Sequence, residues 1–186
     1  MELSDPPLTE AEVRRRLPSL ALINDDALRR DTLELSRYAP AYFWTRSGST
    51  AGYHNAHEHG LWGHTLKLAT VIARLADSYV QRGLIREADV DRAHAARKAG
   101  ESGNQTRDDH DLLMGDKVRD VIGDEIVARI VEEHMGAWYD GPDPQSPVAE
   151  LVHVADMIAS DDNVDIAIPA PVPDALESYG YEGVEL

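Results

Sequence analysis

The stretch LWGHTLKLATVIARLADSY, residues 61–79, decides the fold class. Leu61, Thr65, Leu68, Ile72, Leu75 and Tyr79 recur every three to four positions, so on an α-helix they fall along one side. That side must be buried against other elements, and His64, near its start, is carried inward with it.

Working outward, the same period governs the rest of the chain, and nothing alternates long enough to make a strand. Toward the N-terminus, Thr9 and Glu12 have capping-box spacing and open a short helix that Pro18 stops. A second helix is expected from about Asp25 to Arg37, with Leu28, Leu33 and Leu35 as its apolar contacts. Residues 38–54 read as an aromatic loop broken by Pro40, Gly48 and Gly52. Toward the C-terminus, IREADVDRAHAARKAG (85–100) is a weaker helical pattern, and ESGNQTRDD (101–109) is a polar loop. Another helix is expected from His110 to Arg119, and Gly123 punctuates the chain after it. In DEIVARIVEEHMG (124–136) the residues Ile126, Val127, Ile130 and Val131 form an apolar face that ends at His134. Ser146 and Pro147 then supply a cap and a first-turn proline for a helix whose inner side is Val148, Leu151, Val152, Ala155 and Ile158. The expectation is an all-α domain: helices of 1–38 packed on a core domain of 39–168, followed by an acidic, proline-punctuated tail, 169–186.

Composition narrows the functional classes. With 186 residues the chain suits one domain with a substantial core. Its formal charge is −16, and Lys67, Lys98 and Lys117 are its only lysines. Such a surface repels nucleic-acid phosphates, and an acidic, lysine-poor surface is also typical of proteins from high-salt cytoplasm. There is no cysteine, so a metal site must be built from His, Asp or Glu. The N-terminal sequence has no charged-then-apolar signal pattern, and no apolar run reaches the roughly 18 residues of a membrane span, so a soluble cytoplasmic protein is expected.

Four of the eight histidines, His54, His57, His59 and His64, crowd into residues 54–64. His64, His110, His134 and Asp156 each sit on or at the end of a separate expected helix, beside residues that should face the core. Asp156, flanked by Ala155, Met157 and Ile158, calls for a partner, because a buried carboxylate is costly unless paired or ligating a cation. Singly, each of these residues reads as a hydrogen-bonded core group. Together they make a nitrogen and oxygen donor set suited to Mn, Fe, Ni, Co or Zn, with Mg the poorer match. Trp62 reads as core packing, and His153, three residues before Asp156, as a neighbour of the site and not a ligand.

The order GLWGHTLKLA, DDHDLLMGDKV, IVEEHMG and LVHVADMIAS resembles the HD-domain metal-dependent phosphohydrolases. Its first segment is most similar to the HD module of bacterial 3'-to-5' exoribonucleases, with Tyr53, His54, Gly60, Leu61, His64 and Thr65 in matching places. The resemblance spans roughly residues 40–165. It implies an HD-domain-like orthogonal helical bundle. It also implies His64 as first ligand, His110 and His134 as the additional histidines of dinuclear members, and Asp156 as the closing carboxylate.

The family's own His-Asp element is where this chain departs. In RAHAARKAG, His94 and Lys98 have the required spacing, but Ala95 stands where the aspartate belongs, and Arg92 and Ala93 replace the usual large apolar pair. Alternatively, a short segment bearing the true pair has been lost at this junction. A literal His110-Asp111 comes after a polar loop and lies too near Asp156 for the family spacing. Without a bridging carboxylate two dications repel strongly, which favours a mononuclear or impaired site, with His94 as a further ligand.

The resemblance thus implies hydrolysis of a phosphoester in a nucleotide or other small phosphorylated substrate. Lys98 takes the catalytic phosphate contact, and Arg97 and His54 bind substrate. The competing readings are an HD-fold metal- or nucleotide-binding sensor without turnover, which Ala95 favours, and a purely structural helical domain.

Overall fold

The structure, a computed structural model, describes residues 8–39, 44, 56–100, 110–136, 142–161 and 163–167, with backbone alone at 97–100 and 110. In chain order the elements are α1 (Glu10–Arg16), a 3₁₀ turn (Pro18–Leu22), α2 (Asp26–Arg37), α3 (Gly60–Gln81), α4 (Glu87–Gly100), α5 (His110–Val121), α6 (Glu125–Glu133) and α7 (Pro147–Ala159). No strand occurs among the described residues, so the domain they form is all-α. Most of the loop 38–54 and the tail 169–186 lie outside the described residues.

Helix starts are set by local chemistry. The backbone N–H of Glu12 donates to Thr9 Oγ1 at 3.3 Å while the Thr9 N–H donates to the Glu12 carboxylate at 2.8 Å, a reciprocal capping box. Asp25 accepts the N–H groups of Ala27 and Leu28 ahead of α2, and Asp124 those of Ile126 and Val127 ahead of α6. Ser146 accepts from Ala149 with Pro147 in the first turn of α7. Each such cap satisfies donors that helix geometry leaves without partners and contributes about 1 kcal/mol.

α3 is the main strut. Leu61, Thr65, Leu68 and Ile72 are buried, and the Thr65 hydroxyl donates to the Leu61 carbonyl at 3.0 Å, so its polar group costs little inside. Leu75 and Tyr79 pack on the same cluster from the partly buried end. Truncating a fully buried residue of this kind, such as Ile72, to alanine costs ~2–5 kcal/mol. Trp62 is also buried; its indole N–H donates to the Arg16 carbonyl at 2.8 Å, which joins α3 to the end of α1. Its ring meets Trp44 edge-on, with centroids 5.7 Å apart, and the Arg16 guanidinium lies 4.9 Å from the centre of the Trp44 ring.

α4 runs through the middle, packing on α2, α3, α5, α6 and α7. Ala93, His94, Ala95 and Ala96 are all buried, so this helix is enclosed on every side there. Enclosure removes the contrast between faces, which explains why its sequence shows so weak a period. Alanine suits the position because several helices approach closely. Asp91, one turn earlier, is buried and accepts the backbone N–H groups of Asn24 and Asp25 at 2.8 and 3.0 Å, fixing the α1–α2 region to α4.

α5 and α6 form a helical hairpin. Gly123, at φ +71°, makes the left-handed turn between them, a conformation costly for residues with a Cβ. Arg119 on α5 reaches Glu125 and Glu132 on α6 at 2.8 and 3.0 Å. Hydrogen bonds from Arg119 and Arg129 hold the Glu125 carboxyl down to about 2. The apolar face expected for α6 requires one correction. Val127, Ile130 and Val131 are buried, but Ile126 is 40% exposed, because in the first turn it lines a surface cleft instead of packing inward.

α7 lies antiparallel to α3. Asp156, near the end of α7, meets His64 near the start of α3, while Glu150 in the first turn of α7 acts on Tyr79 at the far end of α3. Burial raises the Tyr79 phenol, and the Glu150 charge raises it further. Val148, Leu151, Val152 and Ala155 are buried as the sequence pattern requires, and Ile158 is partly so. Among the described residues no helix is long and apolar enough to cross a membrane.

Candidate functional site

The antiparallel crossing of α3 and α7 brings together two residues 92 positions apart. His64 Nε2 lies 3.0 Å from Asp156 Oδ1, and both side chains are buried. A carboxylate only accepts, so Nε2 carries the proton of this bond. The pairing answers the demand that the burial of Asp156 raises, since a buried carboxylate needs a donor or a cation.

His134 closes α6 as its C-cap and is buried. Its Nδ1–H donates to the Val131 carbonyl at 2.5 Å, which places a proton on Nδ1. This second hydrogen bond is of the kind that orients metal-ligating imidazoles. The carbonyl of His134 in turn accepts from His153 Nδ1–H at 2.7 Å, so His153 clasps the end of α6 to α7 one turn before Asp156. Gly136, at φ +55°, makes room for that ring: a Cβ there would lie 3.0 Å from His153 Cε1. His153 therefore acts as a positioning neighbour.

His94 is buried on α4, and the adjacent Ala95, at 0% exposure, is packed into the apolar cluster. His110 opens α5, and the backbones of Arg97 and Lys98 lie in the last turn of α4; the side chains of these three, and all of His54, lie outside the described residues. Asp111 is buried, and its carboxylate accepts the Leu112 N–H at 2.9 Å in the first turn of α5.

The other histidines of the opening cluster are occupied locally. His57 Nδ1–H donates to the Glu58 carbonyl at 2.8 Å, and His59 Nδ1–H to the Trp44 carbonyl at 2.6 Å. His59 is the residue before α3 and holds φ +66°, a left-handed conformation that costs roughly 1 kcal/mol outside glycine.

His64 Nε2 and Asp156 Oδ1 are close enough for one ion to contact both, since bonds from first-row metals to imidazole and carboxylate are about 2.0–2.2 Å. Imidazole with carboxylate also suits such metals chemically. Among the described residues no group of three or more His, Asp or Glu side chains stands at separations that would hold a metal ion. The donor set is thus represented by one touching pair, with His94 and His134 buried on adjacent helices.

Sequence reasoning passed over Glu133, whose carboxylate is buried and accepts the Gln145 N–H at 2.9 Å. The signal was there: Glu133 lies three residues after Ile130, on the side of α6 that turns inward. No protein-family model, no curated protein and no solved structure matches this chain significantly.

Proposed function

We propose that this chain is a metal-dependent phosphohydrolase of HD type, acting on a nucleotide or another small phosphorylated metabolite. One observation carries the reading: His64 and Asp156, the first and last ligands that the resemblance implies, touch in the core across 92 residues. The hydrogen bond from His134 Nδ1–H to the Val131 carbonyl supports it further, because metal-ligating imidazoles are oriented by such a bond at the other ring nitrogen.

In this reading His64 and Asp156 hold a divalent ion of the Mn, Fe, Ni, Co or Zn class, with His94, His110 and His134 as the further candidates. The ion supplies Lewis-acid polarisation of a phosphoryl oxygen and activation of water. Binding it displaces the Nε2 proton of His64, so uptake of metal releases protons. Arg97 and Lys98, in the last turn of α4, supply positive charge for the phosphate, and His54 contributes to substrate binding. A charge of −16 favours a small substrate over a polynucleotide.

Ala95 favours a second reading, a metal- or nucleotide-binding module without turnover, because a buried methyl replaces the carboxylate that would bridge two ions. The test is metal analysis after incubation with Mn, followed by phosphomonoesterase and phosphodiesterase assays. Metal with turnover supports the enzyme, metal without turnover supports the sensor, and no metal at any concentration overturns both. His64→Ala or Asp156→Ala should abolish metal binding, whereas His59→Asn, which tolerates the left-handed backbone, should not. Equal losses in all three variants would refute the ligand assignment.

A further inference from the structure

At the opposite end of α7 from Asp156 lies a cleft of about 310 Å³, bounded by the start of α7, one side of α6 and the segment between α3 and α4. Its size is at the small end of the range for small-molecule sites, roughly 300–1,000 Å³. Val148 to Asp156 spans eight residues of α7, roughly 12 Å, so the cleft is separate from the His64–Asp156 pair.

The lining is mixed: Leu84, Ile85, Ile126 and Val148 form its apolar part, beside charged Asp89, Arg129 and Glu133. Leu84 and Ile126 are two of the exposed large apolar side chains, so the cleft accounts for exposure that core packing does not.

The charges inside differ in how they are balanced. Asp89 is bonded to Arg86 and Arg92, and Arg129 to Glu125. Glu133 is 8% exposed and accepts the Gln145 N–H, and among the described residues no cationic side chain pairs with it. The α7 N-terminus beside it is already capped by Ser146. Among the described residues, the one charge in the cleft without a counter-charge is therefore negative, enclosed and next to apolar walls, where an ionic partner counts for more than it would in water.

We infer that this cleft is a binding site for a small organic cation with an apolar body, its ammonium on Glu133 and its body against Leu84, Ile85, Ile126 and Val148. The site stands independently of the metal reading. It is tested on the full chain by following the amide NMR signals of Gln145, Ser146 and Val148 during titration with benzylammonium, benzyl alcohol and benzoate. Benzylammonium should shift them saturably, and the two uncharged or anionic analogues should bind at least about tenfold more weakly. Glu133→Gln keeps an oxygen for the Gln145 N–H, and should bring all three probes to similar weak affinity. Ile126→Trp, at an exposed position, should fill the cleft and abolish binding with the charge of Glu133 intact. No saturable shift with benzylammonium, equal affinity for the three probes, or undiminished binding in either variant would overturn the assignment.

Discussion

Two buried aspartates, Asp91 on α4 and Asp156 on α7, are 7% and 8% exposed, yet they serve different ends. Asp91 is met by the backbone N–H groups of Asn24 and Asp25 and by the Asn24 side-chain amide. Those donors cannot give up their protons at any ordinary pH, so the contact is a fixed joint between the α1–α2 region and the centre of the bundle. Asp156 is met by the imidazole of His64, a type of side chain that also ligates cations. Burial alone therefore does not distinguish the two carboxylates; the chemistry of their donors does.

The largest effect should come from breaking the joint. Asp91→Ala strands backbone donors in the interior and is expected to lower stability by about 3 kcal/mol in urea unfolding. Asp156→Ala should cost only about 1 kcal/mol without metal, because a neutral imidazole can remain at His64. A larger loss from Asp156→Ala than from Asp91→Ala would erase the distinction between them.

A smaller effect should come from restoring a carboxylate beside His94. Ala95→Asp is expected to raise Mn affinity about tenfold, ~1.4 kcal/mol, while lowering the stability of the metal-free protein. Calorimetric titration with Mn reads the first change and urea unfolding the second. Unchanged affinity would mean that Ala95 does not face the ligand set, and would remove α4 from the proposed centre.

The smallest effect lies at the surface, where pairing carries little weight against solvent. The carboxyl of Glu125 sits at about 2 in the fold, against an ordinary value of 4.5, because Arg119 and Arg129 bond it. A depressed acid stabilises the fold above its ordinary value, and that contribution is lost as pH falls from 4.5 toward 2. Glu125→Gln should flatten the stability profile within that window and leave the profile near neutrality parallel to the unaltered protein. An unchanged acid limb would show that the Arg119 cluster holds in the folded state no more tightly than in the unfolded chain.

Much of the helical framework was legible because its signals are local. The caps at Thr9 and Ser146 and the spacing along Leu61, Thr65, Leu68 and Ile72 each depend on neighbours within one or two turns. Ile126 misled because period places a residue on a side of a helix without saying how far the neighbouring elements extend over it. α4 was faint because enclosure on all sides leaves no polar face to contrast with the apolar one. Of the candidate site, the burial of His64, His134 and Asp156 could be read from their apolar neighbours, whereas that of His94, among small residues on a faint helix, and the partners of all four could not.

The sequence by itself determined the all-α class of the described residues, where most of their helices begin, and that Asp156 requires a partner inside the core. Only the tertiary structure decided which partner that is, and that Glu133 lines a cleft with no cationic side chain paired to it among the described residues. The reason is physical: periodicity and capping act over a few residues, while the antiparallel crossing of α3 and α7 joins positions 92 residues apart, through packing that no local pattern encodes.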